Sequence, residues 1–446
     1  MTAVVTSPAP TSPPDSSVAA APTDSSVAAA PTGMFRSLRV RNYRLYAAGQ
    51  LVSLTGTWMQ RVAQDWLVLE LTNSGTALGI VTALQFLPSL LFGLWGGVLA
   101  DRYDKRKLLL ATQTGLALVA LILGVLDVTG IVQYWQVLVL ALALGLVSAI
   151  DSPVRQSFVV EMVGPQDLTN AVGLNSTIFN SARILGPAVA GVMITAIGTG
   201  WAFVANAISS IAVLTGLALM RPSELRPSPA IDRIRGQLRA GLLYVRHRQD
   251  LLLTMILVFV VGTFGLNFQI TTALLAKQVF HRSATGYGLL STALAVGACA
   301  GAVLATRRQT RPSLLFLLLA AMAFGLLEIL AGSMPGFGAT ALMLVLVGLA
   351  MLTFTTAANS SVQLGVEATM RGRVMALYLM CFLGGTPLGA PIVGWVANTV
   401  GPRWGMVGGG LVCVAMAVGM ALYLVRRRSP HIADVSDRWE KITSRY

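Results

Sequence analysis

Charged side chains inside long apolar stretches are the residues of this sequence most able to do chemistry. Arg61 and Asp65 lie four residues apart in one such stretch, and Arg183 lies in another. At a spacing of four, Arg61 and Asp65 share one face of a helix and are able to pair. Charged groups inside a membrane are costly and often mark ion pathways. We therefore take all three as candidates for proton coupling, with a permanent structural ion pair as the alternative for Arg61 and Asp65.

Arg183 and Glu328 lie in two further apolar stretches, and each has an alternative role. Arg183 precedes Pro187 by one helical turn, where it could hold an anionic substrate, modulate a nearby acid or bond backbone carbonyls. Glu328 is isolated in the ninth apolar stretch, and we expect it to serve structure or to extend toward the membrane surface.

Polar and aromatic side chains within the apolar stretches are candidates for a substrate cavity. Ligand pockets are mostly apolar, with a few polar groups that orient the ligand. The mixture favours an amphiphilic organic molecule over an ion or a sugar, although each residue alone more often forms a helix–helix hydrogen bond. The candidates are Gln50, Trp58, Gln64, Gln85, Asn175, Asn180, Asn267, Gln269, Asn359 and Tyr378.

The elements that carry these residues are membrane-spanning helices. Of the 446 residues, 55% are hydrophobic and 11% charged, and the mean hydropathy is +0.71. This composition is typical of a polytopic membrane protein. We predict an all-α membrane protein with twelve transmembrane helices in two pseudo-symmetric six-helix bundles. The spans run approximately over 43–70, 75–100, 106–128, 133–155, 168–196, 201–220, 251–277, 285–305, 312–333, 338–362, 372–397 and 403–425.

The segments outside the spans divide the chain. Residues 1–33 form a Pro/Ala/Ser/Thr-rich tail in which the sequence from Asp15 to Thr23 repeats at once, and we expect disorder there. The tail lacks the features of a signal peptide, so we expect it to be retained. An N-terminal bundle at 34–220, a cytoplasmic amphipathic linker at 221–250, a C-terminal bundle at 251–428 and a cytoplasmic tail at 429–446 follow.

The basic residues predict the orientation. With both termini in the cytoplasm, the inner segments hold 27 of the 32 Lys and Arg residues, and the outer loops hold three. This is a strong positive-inside bias. We therefore assign the net charge of +14 to topology and anionic lipid rather than to nucleic acid.

A short charged loop joins the second and third spans. Residues 96–107 read GGVLADRYDKRK, with six charges between Asp101 and Lys107. Gly96 and Gly97 allow close helix approach, and Asp101 needs a cation or a helix N-terminus as partner. An ordinary loop that orients the protein is the simpler alternative.

Two internal matches indicate a repeat. Residues 96–102 match 301–307, and residues 185–191 match 388–394 at nearly the same offset. A parallel six-plus-six repeat predicts a substrate site at the midplane, between the halves.

On these features, residues 34–428 resemble a major facilitator superfamily transporter. The loop at 96–107 is similar to the family signature between helices two and three, although Asp104 stands where the signature has glycine. The resemblance implies that Asp101 braces the eleventh helix in the outward-facing state and that Lys105 meets Asp151. The implied conformational gate comprises Gly96, Gly97, Asp101, Arg102, Lys105, Asp151 and Arg155.

Two further motifs resemble an exporter branch. Gly186, Pro187 and Gly191 belong to a sequence similar to the motif associated with drug/proton antiporters, where proline bends the helix and glycines allow close packing against a helix of the other half. Residues 49–72 and 151–156 resemble the branch that holds enterobactin, macrolide and tetracycline exporters. Helix four lacks the arginine that many such antiporters carry, so any proton coupling must use other residues.

These observations predict a secondary efflux transporter in a bacterial inner membrane. We expect proton-coupled antiport of an amphiphilic drug, siderophore or metabolite by a monomer, with no cofactor and no nucleic-acid partner. The sequence carries neither an ATP-binding loop nor a His/Cys metal motif, so we do not expect an enzyme. The alternatives are an uptake symporter on the same fold, a lipid flippase, and a transport-inactive sensor or assembly protein.

Overall fold

The computed structural model describes residues 35–226, 237–308 and 310–443. Helices make up nearly all of this described part, and no strand occurs in it. The predicted tail at 1–33 and residues 227–236 of the predicted linker lie outside the described residues.

Six helices form the first bundle. The first three are α1 (Arg41–Thr72), α2 (Gly75–Arg102) and α3 (Lys105–Val128). The next helical run, Tyr134–Ile197, breaks at Gly164, whose φ of 72° and ψ of 176° are not helical. Glycine tolerates this conformation, and Pro165 cannot continue the hydrogen-bond ladder. We therefore treat 134–163 as α4 and 165–197 as α5, followed by α6 (Thr199–Ala218).

A short helix and six long ones complete the chain. The linker helix α7 (Gln237–His247) packs on the second bundle, where Gly241 lies beside Arg373 and Leu377. The second bundle contains α8 (Gln249–Val279), α9 (Ala284–Thr306), α10 (Leu314–Ser333), α11 (Phe337–Gly365), α12 (Ala368–Thr399) and α13 (Pro402–Thr443). Within α8, a π-helical turn (Val261–Gly265) leads into a non-helical backbone step at Leu266 and Asn267, and a second π-helical turn (Leu275–Val279) ends the helix.

Twelve helices cross from one end of the structure to the other, as predicted. Ten helices of the described chain have the length and hydropathy of a membrane span. The run Tyr134–Ile197 counts once among these ten but contains both α4 and α5. The remaining helix, α1, carries many polar residues, which lower its hydropathy below that of the others.

The two bundles contact each other mainly at the end opposite the chain termini, which we call the far end. There α2 lies against α12, and a side-chain carbon on Gly79 would overlap the carbonyl oxygen of Ala390. Similarly α5 lies against α9, where a Cβ on Gly191 would lie 2.9 Å from the Cα of Thr285. The glycines let these backbones approach, and the bundles are therefore closed together at the far end.

Candidate substrate cavity and gate

A cavity of about 770 Å³ lies within the first bundle, and all of its lining residues belong to α1–α6. It runs from the middle of the bundle toward the end that carries the termini, where the lining residues Gln156, Val172 and Ser176 are exposed. The sequence predicted a site between the halves, whereas the walls of this cavity come from the first half alone. Six predicted residues line it: Gln50, Trp58, Gln64, Gln85, Asn175 and Asn180.

The polar face of the cavity comes from the spacing of residues on α1. Gln50, Ser53, Thr57, Gln60 and Gln64 recur every three or four residues, which aligns them on one helix face. Gln60 was not among the predicted cavity residues, although this spacing identifies it. Gln113 and Asn206 were not predicted either, because one amide among the other polar residues of α3 or α6 is not distinguished from an ordinary helix contact.

Asp65 lies between the bundles rather than in the cavity wall. Its side chain is 3% exposed, and its Oδ2 accepts a hydrogen bond of 2.6 Å from the hydroxyl of Tyr287 on α9. The adjacent Trp66 ring stacks on Tyr287 at 6.4 Å between centroids. Asp65 is therefore bound to the other half of the molecule.

The possible ion pair between Arg61 and Asp65 does not form in the described structure. The Arg61 guanidinium instead lies over the rings of Trp58, at 4.8 Å, and Phe86, at 6.0 Å. Asp65 faces α9, so the two side chains point to different neighbours despite their helical spacing. Arg61 lines the cavity and Asp65 does not.

Arg183 approaches the same indole from α5. Its guanidinium carbon lies 5.8 Å from the Trp58 ring centroid, a distance at which the cation and the ring attract. Within the described chain, neither Arg61 nor Arg183 has a carboxylate within salt-bridge distance. Trp58 also meets Phe179 edge to face at 5.7 Å. These residues form a cationic, aromatic cluster on one side of the cavity.

Asp151 and Arg155 also line the cavity. Asp151 is 1% exposed, forms a salt bridge with Arg155, and accepts hydrogen bonds of 2.8 Å from Thr112 and from Gln113. Because its oxygens are fully engaged by donors, Asp151 adds little unbalanced negative charge to the cavity.

The prediction that Lys105 contacts Asp151 is wrong. The Lys105 ammonium instead pairs with the Glu161 carboxylate at 2.5 Å, and both side chains are buried. Asp151 lies ten residues before Glu161 on α4, which corresponds to about 15 Å along the helix. Asp151 is therefore too deep in the bundle to meet a residue at the start of α3, whereas Glu161 lies near the helix end.

The rest of the predicted gate surrounds the same turn. Gly96 packs on the carbonyl of Ala149 in α4, and Gly97, Asp101 and Arg102 occupy the last turns of α2. Asp104 has a φ of −58°, so this turn does not require the glycine of the family signature. Its side chain instead caps α3 by accepting a 3.1 Å hydrogen bond from the amide of Lys107.

The motif at 186–191 lies where α5 meets two other helices. Gly186 packs on Trp58 and Thr55 of α1, and Gly191 packs on α9. A Cβ on Gly288 of α9 would overlap the carbonyl oxygen of Pro187. The motif thus joins the cavity helix α1 to the second bundle.

Four predicted cavity residues lie elsewhere, in the second bundle. Asn267 donates to the Thr263 carbonyl at 2.7 Å, and Tyr378 donates to the Thr355 carbonyl at 3.3 Å. Gln269 donates to Thr82 Oγ1 at 3.0 Å and so links α8 to α2. Asn359 is on α11, with a buried oxygen that has no partner.

Glu328 faces the interior of the second bundle instead of extending to the membrane surface. It is 2% exposed, and its Oε2 has no hydrogen-bond partner. The small residue Gly409 of α13 leaves space beside its other oxygen.

Twelve spans in two six-helix bundles, with a polar cavity inside the first bundle, fit a secondary transporter of the major facilitator superfamily. The family model described as "Transmembrane secretion effector" matches residues 32–443, and the chain belongs to this family.

Curated relatives are similar over most of the chain. The Staphyloferrin A transporter of Staphylococcus aureus is 26% identical over 86% of this chain and 96% of the relative. Macrolide efflux protein A of Streptococcus pyogenes is 21% identical, covering 86% and 97%. The enterobactin exporter of Citrobacter koseri is 22% identical, covering 86% and 92%. The chain is thus an exporter-like, multi-pass membrane transporter.

Solved structures share the fold. A bacterial homologue of the human lysosomal transporter Spinster, in an inward-facing and unoccupied conformation, has a TM-score of 0.65 and 16% identity, covering 86% of this chain and 95% of that chain. A POT family transporter in complex with 5-aminolevulinic acid has a TM-score of 0.69 and 11% identity, covering 86% and 96%.

Proposed function

We propose that the protein exports an amphiphilic small molecule from the cytoplasm in exchange for protons. The closed far end and the cavity that reaches the terminal end correspond to an inward-facing state if the termini are cytoplasmic, as the distribution of Lys and Arg favours. The exporter-named relatives support the direction of transport. The cavity volume falls within the range of small-molecule sites.

The observation that carries the coupling proposal is the hydrogen bond between Asp65 and Tyr287. It joins α1 to α9 across the two bundles, so it stabilises the closed far end. A hydrogen bond to an ionised carboxylate is stronger than one between neutral groups. Ionised Asp65 therefore holds the empty carrier inward-facing, whereas protonation weakens this link.

This arrangement prevents a futile cycle. If the empty carrier turned outward with Asp65 ionised, Asp65 would take up a proton outside. The return of the carrier would then release this proton inside, and repeated cycles would leak protons inward. Substrate in the cavity contacts α1 at Arg61, one turn before Asp65, and at Gln64, which directly precedes Asp65. We propose that this contact shifts α1 and releases the link, so that outward movement requires substrate.

The test measures proton flux in liposomes without any substrate. With an imposed pH gradient and an entrapped pH-sensitive dye, the intact protein should be nearly tight. Tyr287→Phe should leak protons about ten- to hundredfold faster, because losing a charge-assisted hydrogen bond costs about 1.5–3 kcal/mol. Adding Asp65→Asn to Tyr287→Phe should abolish the leak. A tight Tyr287→Phe protein, or a leak that survives Asp65→Asn, would refute the proposal.

Tyr378→Phe is a matched control, because this buried hydroxyl also makes one hydrogen bond but lies within a single bundle. It should stay tight. The direction of transport is tested in a pump-deficient bacterial host with a panel of dyes and antibiotics. Export that collapses with a protonophore supports the proposal, whereas proton-driven accumulation supports the uptake symporter.

A further inference from the structure

The cavity contains buried hydrogen-bond donors with no partner. Gln60 Nε2, Gln64 Nε2 and Arg155 Nε are each buried without a hydrogen bond in the described structure, and all three residues line the cavity. The two glutamines are 3% and 2% exposed. Buried polar groups are normally satisfied, so a cluster of unpartnered donors around one cavity indicates a place for a ligand.

The three buried cavity atoms without a hydrogen bond are all nitrogen donors. The other buried side-chain atoms of the described chain without a hydrogen bond are oxygens, one of which, on Asp167, forms a salt bridge with Arg36, and none of their residues lines the cavity. Gln60 Oε1 already accepts a hydrogen bond from Asn206, which leaves its amide N–H groups for a ligand. The cavity thus offers donors where a ligand would need to supply acceptors.

The charges of the cavity agree with these donors. Asp151 is the acid in the lining, and Arg155, Thr112 and Gln113 bond to it. Arg61 lines the cavity with no carboxylate partner in the described chain. Arg183 adds a second positive charge on the same indole, at 5.8 Å from the Trp58 ring centroid. A cationic ligand would be repelled by Arg61, and the cavity lining of the described chain would offer it no carboxylate that is not already bonded.

We propose that this cavity, in the transport function proposed above, selects organic anions: a carboxylate or similar acidic oxyanion joined to an aromatic or apolar body. Arg61 binds the oxyanion, with the amide N–H groups of Gln60 and Gln64 as additional donors. The body packs against Trp58 and Phe179, whose edge-to-face rings form an apolar surface beside Arg61.

The test compares two dyes that share a xanthene ring system and differ in charge. Fluorescein carries carboxylate and phenolate groups, whereas rhodamine 6G is a cation with an esterified carboxyl group. Binding to the purified full chain in detergent micelles is followed by fluorescence anisotropy, with protein-free micelles subtracted. Fluorescein should bind at least tenfold more tightly than rhodamine 6G. Equal affinities, including no binding of either dye, or tighter binding of rhodamine 6G would overturn the proposal.

Variants locate the binding group. Arg61→Gln should weaken fluorescein binding at least tenfold without weakening rhodamine 6G, and Arg61→Lys should recover part of the loss. Arg282→Gln is the matched control, because this arginine also lies over an aromatic ring but is outside the cavity. An unchanged fluorescein affinity in Arg61→Gln would also overturn the proposal.

Gln64→Glu keeps the size of the side chain and replaces donors with acceptors, so it should reduce or reverse the preference for fluorescein. It provides a second test if Arg61→Gln does not yield folded protein, as judged by size-exclusion chromatography. This binding assay needs no proton gradient, and the leak assay above needs no ligand. Failure of the substrate-class proposal is therefore distinguishable from failure of the coupling proposal.

Discussion

The two bundles have the same helix order but bury different groups. The first bundle buries ion pairs, Asp151 with Arg155 and Lys105 with Glu161, around or near a polar cavity. In the described part of the second bundle, salt bridges lie at the terminal end, where Asp250 binds Arg248 and Arg311. Pseudo-symmetry of the backbone therefore does not imply symmetry of the chemistry.

The second bundle instead carries irregular backbone. The non-helical step at Leu266 and Asn267 interrupts α8, and the Asn267 amide donates to the freed carbonyl of Thr263. Gly385 and Gly389 of α12 let that helix pack directly on the Thr263 backbone. Irregular backbone at membrane depth is tolerated where protein covers it, and both features meet that condition here. The polar groups buried in the first bundle are thus mainly side chains, whereas those at these two features of the second bundle belong mainly to the backbone.

The largest expected effect tests the contrast between the ion pairs. Asp151→Ala removes the carboxylate that pairs with Arg155, whose side chain is 27% exposed, and leaves the buried donors of Thr112 and Gln113 without an acceptor, so it should destabilise the fold by about 3–5 kcal/mol. Asp250→Ala removes a pair whose carboxylate side chain is 37% exposed, and it should cost about 1 kcal/mol or less. Unfolding of both variants in mixed micelles, followed by helical circular dichroism, measures the difference. Similar losses in the two variants would contradict the contrast.

A second effect concerns the contact between the bundles. Gly288→Ala places a methyl group against the Pro187 carbonyl, so the far ends of α5 and α9 should separate. We expect several-fold faster alkylation of a cysteine reporter at Thr292 by an impermeant maleimide applied from the far side. The background replaces Cys299, Cys381 and Cys413 with alanine. Gly338→Ala, at a far-end glycine with open space around it, should leave the rate unchanged. No difference between the two variants would mean that this contact does not hold the proposed inward-facing state.

Much of this architecture follows from local sequence patterns. Apolar length and the internal repeat predicted the twelve spans and the two bundles. Six of the ten polar and aromatic residues predicted for the cavity line it, because polar side chains in apolar helices tend to face polar surroundings, whereas the other four lie in the second bundle. The motif containing Gly191 also indicated close contact with the other half, since small residues on a membrane helix have few other uses.

The pairings could not be predicted in the same way. Asp65 and Tyr287 are 222 residues apart, and Lys105 and Glu161 are 56 apart. Such contacts depend on how each helix is rotated about its axis and how deep it lies in the membrane. The length of an apolar stretch fixes the depth only to within several residues and does not fix the rotation. Resemblance to a family signature therefore gave the right basic residue in Lys105 and the wrong acid.

The smallest expected effect concerns Glu328, the buried acid of the second bundle. It has no salt-bridge partner in the described chain; one carboxyl oxygen lies near Gly409, where the Phe264 carbonyl also lies. The titratable neighbour is the Cys413 thiol. Glu328→Gln keeps the shape of the side chain and removes its ionisable group, so stability should change by about 1 kcal/mol or less. Proton flux in liposomes, alone and with Tyr287→Phe, should not change. If Glu328→Gln instead abolished the leak of Tyr287→Phe, as Asp65→Asn should, proton coupling would involve both bundles and the contrast between them would fail.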